Sequence, residues 1–151
     1  MPLPMPSKTS SPFPDDAEWL EPDGLGGFAS GTVSGVRTRR FHALLLPATT
    51  PPTGRMVLVN GFDAWVTIGD RREALSAQRY APDVVHPDGA RRVVDFAPEP
   101  WPCWTYRLDD GTVVEQEIVA SHCTPLVLVA WRLVQRGPGA PRHGPGTHRP
   151  A

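Results

Sequence analysis

Short runs of apolar, β-branched and aromatic residues, separated by turn signals, restrict how this chain can fold more than any other feature. Seven or more such runs follow one another between residues 40 and 134, and glycine, proline or aspartate separates them. We find no convincing long amphipathic helical pattern in the chain. Short strands at this spacing are typical of antiparallel sandwiches. We therefore predict an all-β fold, an antiparallel β-sandwich, over residues 16–135.

Individual strands and turns can be predicted within this region. Asp109-Asp110-Gly111 carries the aspartate–glycine signature of a hairpin turn, and Asn60-Gly61 is a second favoured hairpin dipeptide. Gly69-Asp70 predicts a further turn. Residues 40–46 end in a continuous apolar run, which predicts a strand buried on both faces. Residues 112–120 and 124–134 predict the last two strands, with Trp131 in the core.

The two ends of the chain differ from the middle in composition. Residues 1–15 are rich in proline and serine, and residues 136–151 contain only Gly, Pro, Arg, His, Ala and Thr. Such segments cannot build a core, so we predict that both are disordered. Because apolar residues stop after Val134, we also expect the sandwich to be incomplete, as in a truncated or frameshifted product or a gene fragment.

Charge and cysteine content exclude several classes of function. The formal net charge is −1 and the isoelectric point is about 6.5, which argues against a nucleic-acid partner.

No apolar run approaches the roughly 18–20 residues of a membrane span, and the proline-broken N-terminus lacks a secretory signal. We expect a cytoplasmic protein without a membrane partner. Cys103 and Cys123 form neither a disulfide framework nor a metal pattern, so we expect no metal and no cofactor.

The segment from Asp23 to His42 is the strongest candidate for function. It reads D-G-L-G-G-F-A-S-G-T-V-S-G-V-R-T-R-R-F-H, with five glycines followed by three arginines. Part of it fits the dinucleotide fingerprint G-x-G-x-x-A, but the acidic residues before it and the β-branched residues after it do not give the required strand and helix. It also lacks the lysine of a phosphate-binding P-loop. Nucleotide binding is therefore disfavoured.

A longer stretch of the chain matches a known family. The run W-L-E-P-D-G-L-G-G-F-A-S-G-T-V-S-G-V-R-T-R-R-F-H-A-L-L-L, residues 19–46, resembles the start of bacterial and archaeal glycogen debranching enzymes (amylo-α-1,6-glucosidases). The P-P-x-G-R-x-V-L-V run at 51–59 and the P-x-P-W-P-x-W-T-Y run at 98–106 are similar as well. The chain departs from the family pattern at Phe41, where tyrosine is usual, and at Ala43, where glycine is usual.

The resemblance implies a non-catalytic N-terminal domain, a sandwich of the super-sandwich type. Its partners would be an α-glucan and a catalytic helical (α/α) barrel, which would supply the two carboxyl groups of glycoside hydrolysis. The alternatives are a stand-alone carbohydrate-binding or interaction module and a non-functional gene fragment. The candidate residues for substrate binding or domain docking are Gly26, Gly27, Ser30, Thr32, Thr38, Arg39, Arg40, His42 and Trp104.

Within this chain, the residues leave several roles open. The arginine cluster can be a solvated face, can pair with carboxylates inside the domain, or can contact a sugar or a partner. If residues 39–42 are extended, Arg40 and His42 lie on one face and Arg39 and Phe41 on the other. Glu115 and Glu117 share one strand face, which favours an exposed acidic surface over a catalytic pair. We therefore expect no catalytic residue in this chain.

Overall fold

The computed structural model describes residues 11–81 and 84–139, and this part of the chain is all-β and antiparallel, as predicted. It contains twelve short strands and a 3-10 helix, Gly89–Arg92. Within these residues no helix is long and apolar enough to cross a membrane. The strands are β1 Glu18–Pro22, β2 Phe28–Thr32, β3 Ala48–Thr50, β4 Thr53–Arg55, β5 Trp65–Ile68, β6 Arg71–Ala74, β7 Ala77–Tyr80, β8 Val84–Asp88, β9 Val93–Ala97, β10 Cys103–Arg107, β11 Val113–Ala120 and β12 Val127–Gln135.

The strands pair with their neighbours in sequence. The first eight strands form four hairpins, β1–β2, β3–β4, β5–β6 and β7–β8, and the last four form one sheet in the order β12-β11-β10-β9. None of the described sheets closes into a barrel. Gly69 and Gly111 have φ of 58° and 84° in the β5–β6 and β10–β11 turns. Because glycine adopts positive φ without steric cost, these two turns form where the sequence predicts them.

The core lies between the four-stranded sheet and the hairpins. Trp104 and Tyr106 of β10 point to the same face as Val114 and Ile118 of β11, and all four are buried. Residues of β1, β2 and β5 pack against this face, including the fully buried Ala29. The two layers are those of a sandwich. The other face of β11 carries Glu115 and Glu117, which are partly buried rather than exposed, and the Glu115 side chain is 19% exposed.

Residues 40–46 do not form the predicted strand. They begin in a turn closed by a hydrogen bond from the His42 N–H to the Arg39 carbonyl oxygen, 3.1 Å long. Only isolated bridges follow, at Leu45 and Leu46. The side chain of His42 stabilises this turn, as described below, and it overrides the strand preference of the apolar run. The hairpin predicted at Asn60-Gly61 is also absent, because residues 60–64 form an irregular loop.

Trp131 is not in the core, so that prediction is wrong. It lies in β12, at the edge of the four-stranded sheet, and 47% of its surface is exposed. Its ring contacts Phe62, with centroids 5.4 Å apart and an interplanar angle of 75°. The apolar sequence of β12 therefore reflects an exposed edge strand rather than a central one.

Contacts of the domain continue slightly beyond the predicted boundaries at residues 16 and 135, which stay predictions. Phe13 packs against the core, and Asp15 forms an ion pair with Arg79. At the other end, the buried Gly137 N–H donates to Thr112 Oγ1 at 3.0 Å. Most of the two segments predicted to be disordered, residues 1–10 and 140–151, lies outside the described residues.

Candidate functional site

The glycines that begin the candidate segment shape a tight loop around Asp23. One carboxylate oxygen of Asp23 accepts from the N–H groups of Leu25 and Gly27, at 2.7 and 2.9 Å. Gly26 has φ of 96° and packs against the backbone of Pro52, while a Cβ on Gly27 would approach the Leu46 carbonyl oxygen to 2.8 Å. Gly26 and Gly27 therefore contribute close backbone packing.

Two candidate residues, Thr32 and Ser30, form hydrogen bonds with backbone groups of the segment through their side-chain hydroxyls. Thr32 is 1% exposed, and its Oγ1 donates to the Val36 carbonyl oxygen at 2.5 Å. Ser30 Oγ donates to the Phe41 carbonyl oxygen at 3.1 Å and links β2 to the turn at residues 39–42, which we call the arginine turn. Thr32 thus stabilises the turn after β2, and Ser30 joins β2 to the arginine turn.

Arg39 and His42 meet at Glu18, which corrects the prediction that they lie on opposite faces. Arg39 forms an ion pair with the Glu18 carboxylate, and His42 Nε2 lies 3.3 Å from the same oxygen. His42 Nδ1 accepts from the N–H groups of Thr38 and Arg39, at 3.2 and 3.3 Å. Because Nδ1 accepts, Nε2 carries the proton and donates to Glu18. The buried imidazole therefore connects the turn to β1.

Arg40 is the arginine of the turn that remains available to a partner. It is exposed, and its guanidinium carbon lies 5.7 Å from the centre of the Phe41 ring, which is itself 56% exposed. No carboxylate of the described residues pairs with Arg40. Thr38 is exposed beside it. Together, Thr38, Arg40 and Phe41 form a solvent-facing patch next to the buried Glu18–His42 contact.

Trp104, one of the candidate residues for substrate binding or domain docking, lies in the core rather than on the surface. It is 3% exposed, and its indole Nε1 donates to the Val33 carbonyl oxygen at 2.8 Å. Trp19 and Phe96 pack against its ring, with centroid distances of 5.2 and 4.9 Å. The neighbouring prolines do not raise its accessibility, because Trp104 points to the inner face of β10.

One cavity, which we call the arginine pocket, has a volume of about 110 Å³ and is lined by Arg37, Asn60, Gln116 and the rings of Trp19 and Trp104, among others. Ser30, Gly31, Thr32, Gly35 and Arg37 of the candidate segment line one side of it. The segment therefore does border a pocket, but Arg37 lines it, whereas Arg39, Arg40 and His42 do not.

A second cavity, which we call the aromatic cleft, has a volume of about 390 Å³. Phe62, Trp65 and Trp131 line it together with Asp63. Its three aromatic side chains are each at least 37% exposed. One oxygen of Asp63 accepts from Gln78 Nε2 at 2.7 Å, and the other has no partner among the described residues. Ligand clefts in proteins are commonly 300 to about 1,000 Å³ and combine apolar walls with a few polar groups.

The residues of the aromatic cleft are not among the candidates that the sequence indicates. The sequence predicts Trp131 in the core, and it predicts no binding role for Phe62 or Trp65. Their common signal is aromatic content, but the cleft forms only because the loop at 60–64 approaches the exposed edge strand β12. Sequence spacing does not reveal that approach.

The carboxylates and thiols of the described residues do not gather into a metal site. No group of three or more metal-ligating side chains occurs in the described part of the chain. Glu115 pairs with Arg132 on the outer face of the sheet. Burial raises the pKa of the Cys103 thiol, and the nearby Glu115 and Glu117 carboxylates raise it further.

The fold defines an all-β, antiparallel domain in which the glycine–arginine segment lines one cavity, the arginine pocket. The family model described as glycogen debranching enzyme N terminal matches residues 17–144. The chain therefore belongs to the glycogen debranching enzyme N-terminal family, as the residues of the segment indicated. No curated protein and no solved structure matches the chain.

Proposed function

We propose that this chain acts as the non-catalytic N-terminal domain of a glycogen debranching enzyme, binding an α-glucan and docking on a catalytic helical barrel. Membership of the family supports an N-terminal domain role. In this proposal the barrel carries the two carboxyl groups that cleave the glycosidic bond, and the domain contributes binding surface. The intact enzyme works in the cytoplasm, where glycogen is stored.

The aromatic cleft is the observation that carries glucan binding. Flat aromatic rings can cover the C–H face of a glucose unit while a carboxylate accepts hydrogen bonds from its hydroxyls. Phe62 and Trp131 meet nearly edge to face and leave their remaining surfaces open to the cleft. The Arg72 guanidinium lies 4.5 Å from the centre of the Trp65 ring and stabilises its orientation. The cleft is open, as binding to a polymer requires.

Docking on the barrel is supported by the apolar surface of β12 and by the exposed patch of the arginine turn. Leu128, Leu133 and Val134 of β12 are each about half exposed, at 57%, 50% and 48%. Contiguous exposed apolar surface marks interaction sites in proteins. The strand also presents an unpaired edge, because it borders only β11. Thr38 and Arg40 would add polar contacts at the rim.

Glucan binding is tested with the chain as it stands. Isothermal titration with maltoheptaose should give a measurable affinity that Trp131→Ala lowers about fivefold or more, the loss expected when a contact worth about 1 kcal/mol is removed. Trp101→Ala is the matched control, because Trp101 is exposed as well, at 37% against 47% for Trp131, but does not line the cleft. Equal losses in the two variants, or no binding in the presence of a barrel, would overturn the assignment of the cleft.

Docking is tested by co-purification with a separately expressed helical barrel of the same family. Leu128→Asp should abolish the complex, whereas Leu20→Asp in β1, where Leu20 is 56% exposed, should not. If the chain binds maltoheptaose but never a barrel, it is a stand-alone carbohydrate-binding module. If it shows neither binding nor a cooperative thermal transition, the reading as a non-functional fragment is correct.

A further inference from the structure

The guanidinium of Arg37 has no partner among the described residues. Its Nη1 is buried and has no acceptor, and no described residue forms a hydrogen bond or an ion pair with the side chain. The other enclosed arginine behaves differently: Arg92 bonds to Glu73, Asp88 and the Ala74 carbonyl oxygen. Because an arginine stays charged at all accessible pH values, a partly buried guanidinium without a hydrogen-bond acceptor lowers the stability of the folded protein. A bound ligand that accepts hydrogen bonds from Arg37 would remove this cost.

The arginine pocket has the charge that such an acceptor requires. Arg37 is the only charged side chain among the described residues that line the pocket, and no aspartate or glutamate lines it. The aromatic cleft differs, because Asp63 lines it and no arginine does. The two cavities therefore select ligands of different charge, although Phe62 borders both.

The remaining polar groups of the pocket indicate what else the ligand carries. Tyr106 donates to Gln116 Oε1 at 3.4 Å, so the Gln116 amide nitrogen is left to donate into the pocket. The side-chain amide of Asn60 has no partner among the described residues. Trp19 and Trp104 meet edge to face and form an apolar wall. Gln78 also lines the pocket, but its amide nitrogen donates to Asp63. The pocket thus offers one positive charge, the free amide groups of Asn60 and Gln116 and an aromatic surface, which fits a small hydroxylated compound with one acidic group.

We propose that the arginine pocket binds a small hydroxylated carboxylate of the sugar-acid class. A planar guanidinium matches a carboxylate with two parallel hydrogen bonds. One arginine balances the single charge of a carboxylate, whereas a phosphate dianion would keep an uncompensated negative charge in a pocket that has no second cation. The amides of Asn60 and Gln116 then bind the hydroxyls. This site is separate from glucan binding, which the proposed function assigns to the aromatic cleft.

The test measures binding of gluconate to the chain by isothermal titration, with glucose, glucose 6-phosphate and inorganic phosphate as the other arms. Gluconate should bind, and Arg37→Gln should weaken it about tenfold or more, as expected for loss of a charge-assisted hydrogen bond. Arg40→Gln is the matched control: it removes one arginine charge from the same segment, outside the pocket, and should leave gluconate affinity unchanged. Maltoheptaose affinity should be the same in all three proteins.

Gly61→Ala gives a second variant that keeps the charge. A Cβ at this position would meet Arg37 Nη1 and displace the guanidinium, so gluconate affinity should fall while the thermal transition remains cooperative. Glucose binding as tightly as gluconate, phosphate or glucose 6-phosphate binding more tightly, or an equal loss in Arg40→Gln would each overturn the proposal. Failure of gluconate to bind would overturn it as well, and it would leave the glucan assignment standing because that rests on maltoheptaose and Trp131.

Discussion

Trp104 and Val33, 71 positions apart in the chain, are joined by a hydrogen bond of 2.8 Å from the indole N–H to the carbonyl oxygen. This bond connects the four-stranded sheet to the turn that follows β2, at the end of the glycine-rich part of the candidate segment. A buried carbonyl that loses its donor costs about 1–3 kcal/mol. The contact is therefore one of the few that tie the candidate segment to the core by a polar interaction.

Trp104→Phe should lower the free energy of unfolding by about 1–3 kcal/mol, because phenylalanine cannot donate to the Val33 carbonyl oxygen. Urea denaturation followed by circular dichroism measures the change. Trp131→Phe makes the same substitution at an exposed position and should cost about 0.5 kcal/mol or less. A similar loss of unfolding free energy in both variants would show that the hydrogen bond of the Trp104 indole N–H does not stabilise the fold.

The buried ion pair of Glu73 and Arg92 should be far more sensitive to truncation than the exposed pair of Glu115 and Arg132. Both Glu73 and Arg92 have side chains less than 10% exposed, whereas Arg132 is 69% exposed. Glu73→Ala should cost about 3–5 kcal/mol, since it leaves a buried guanidinium short of a partner. Glu115→Ala should cost about 1 kcal/mol or less.

The same denaturation measurement compares the two glutamate variants. A cost below about 1 kcal/mol for Glu73→Ala would mean that Asp88 and the Ala74 carbonyl oxygen compensate Arg92 fully. A second variant, Glu73→Gln, keeps an acceptor for the Asp109 N–H and should lose less than Glu73→Ala.

Structural features that depend on a few adjacent residues could be predicted from the sequence, whereas features that depend on distant residues could not. The β10–β11 turn follows from three adjacent residues, Asp109 to Gly111, so it was predicted. The turn at residues 39–42 depends on the side chain of His42 accepting from backbone N–H groups, which an apolar strand pattern hides. The exposure of Trp131 depends on the order of strands in the sheet, which its own strand does not encode.

In the candidate site, too, only what adjacent residues determine could be predicted. The sequence identified the segment from Asp23 to His42 and its family, which the family match confirms. It could not tell Arg37, which faces a pocket, from Arg39, which pairs with Glu18. That difference arises because the chain turns between the two residues and brings residue 61 against the Arg37 guanidinium.

The stability of the domain should depend on pH through Asp110. The backbone N–H of Thr112 donates to this carboxylate at 2.8 Å and lowers its pKa; burial opposes the shift, and the Arg71 charge adds to it. A group whose pKa is lower in the folded state stabilises the fold above its unfolded pKa, about 4, and this contribution is lost as the pH falls through the folded pKa. The wild-type domain should therefore lose stability below about pH 4.

Asp110→Asn tests this dependence, because asparagine still accepts from Thr112 but does not titrate. The difference in unfolding free energy between the wild type and Asp110→Asn should be largest near pH 6–7 and should shrink below about pH 4. Asp70→Asn removes one charge from the exposed β5–β6 turn and serves as the control. A difference that stays constant from pH 7 to pH 3 would contradict the prediction.

The two cysteines should differ in reactivity. Cys123 is exposed, and its Sγ lies 3.1 Å from Nδ1 of His122, whereas Cys103 is partly buried and its thiol pKa is raised by burial and by Glu115 and Glu117. Because the thiolate is the nucleophile, iodoacetamide at pH 8 should label Cys123 about tenfold faster or more. Peptide mass spectrometry measures the two rates, and the difference should vanish in urea. Faster labelling of Cys103 in the folded protein would contradict the assignment.

Gly26 and Gly35 separate the cost of a strained backbone from the cost of a steric clash. Both have positive φ, at 96° and 79°, but a Cβ on Gly35 would have no atom within 4 Å, whereas one on Gly26 would meet the backbone of Pro52. Gly35→Ala should therefore cost about 1–2 kcal/mol, the penalty of the left-handed conformation alone. Gly26→Ala should cost about a further 1–3 kcal/mol, because the Pro52 backbone has to shift. Urea denaturation measures both, and equal costs would mean that the contact between the candidate segment and the β3–β4 turn is loose enough to yield. An unequal result in the predicted order would identify this contact as the reason that glycine is required at residue 26.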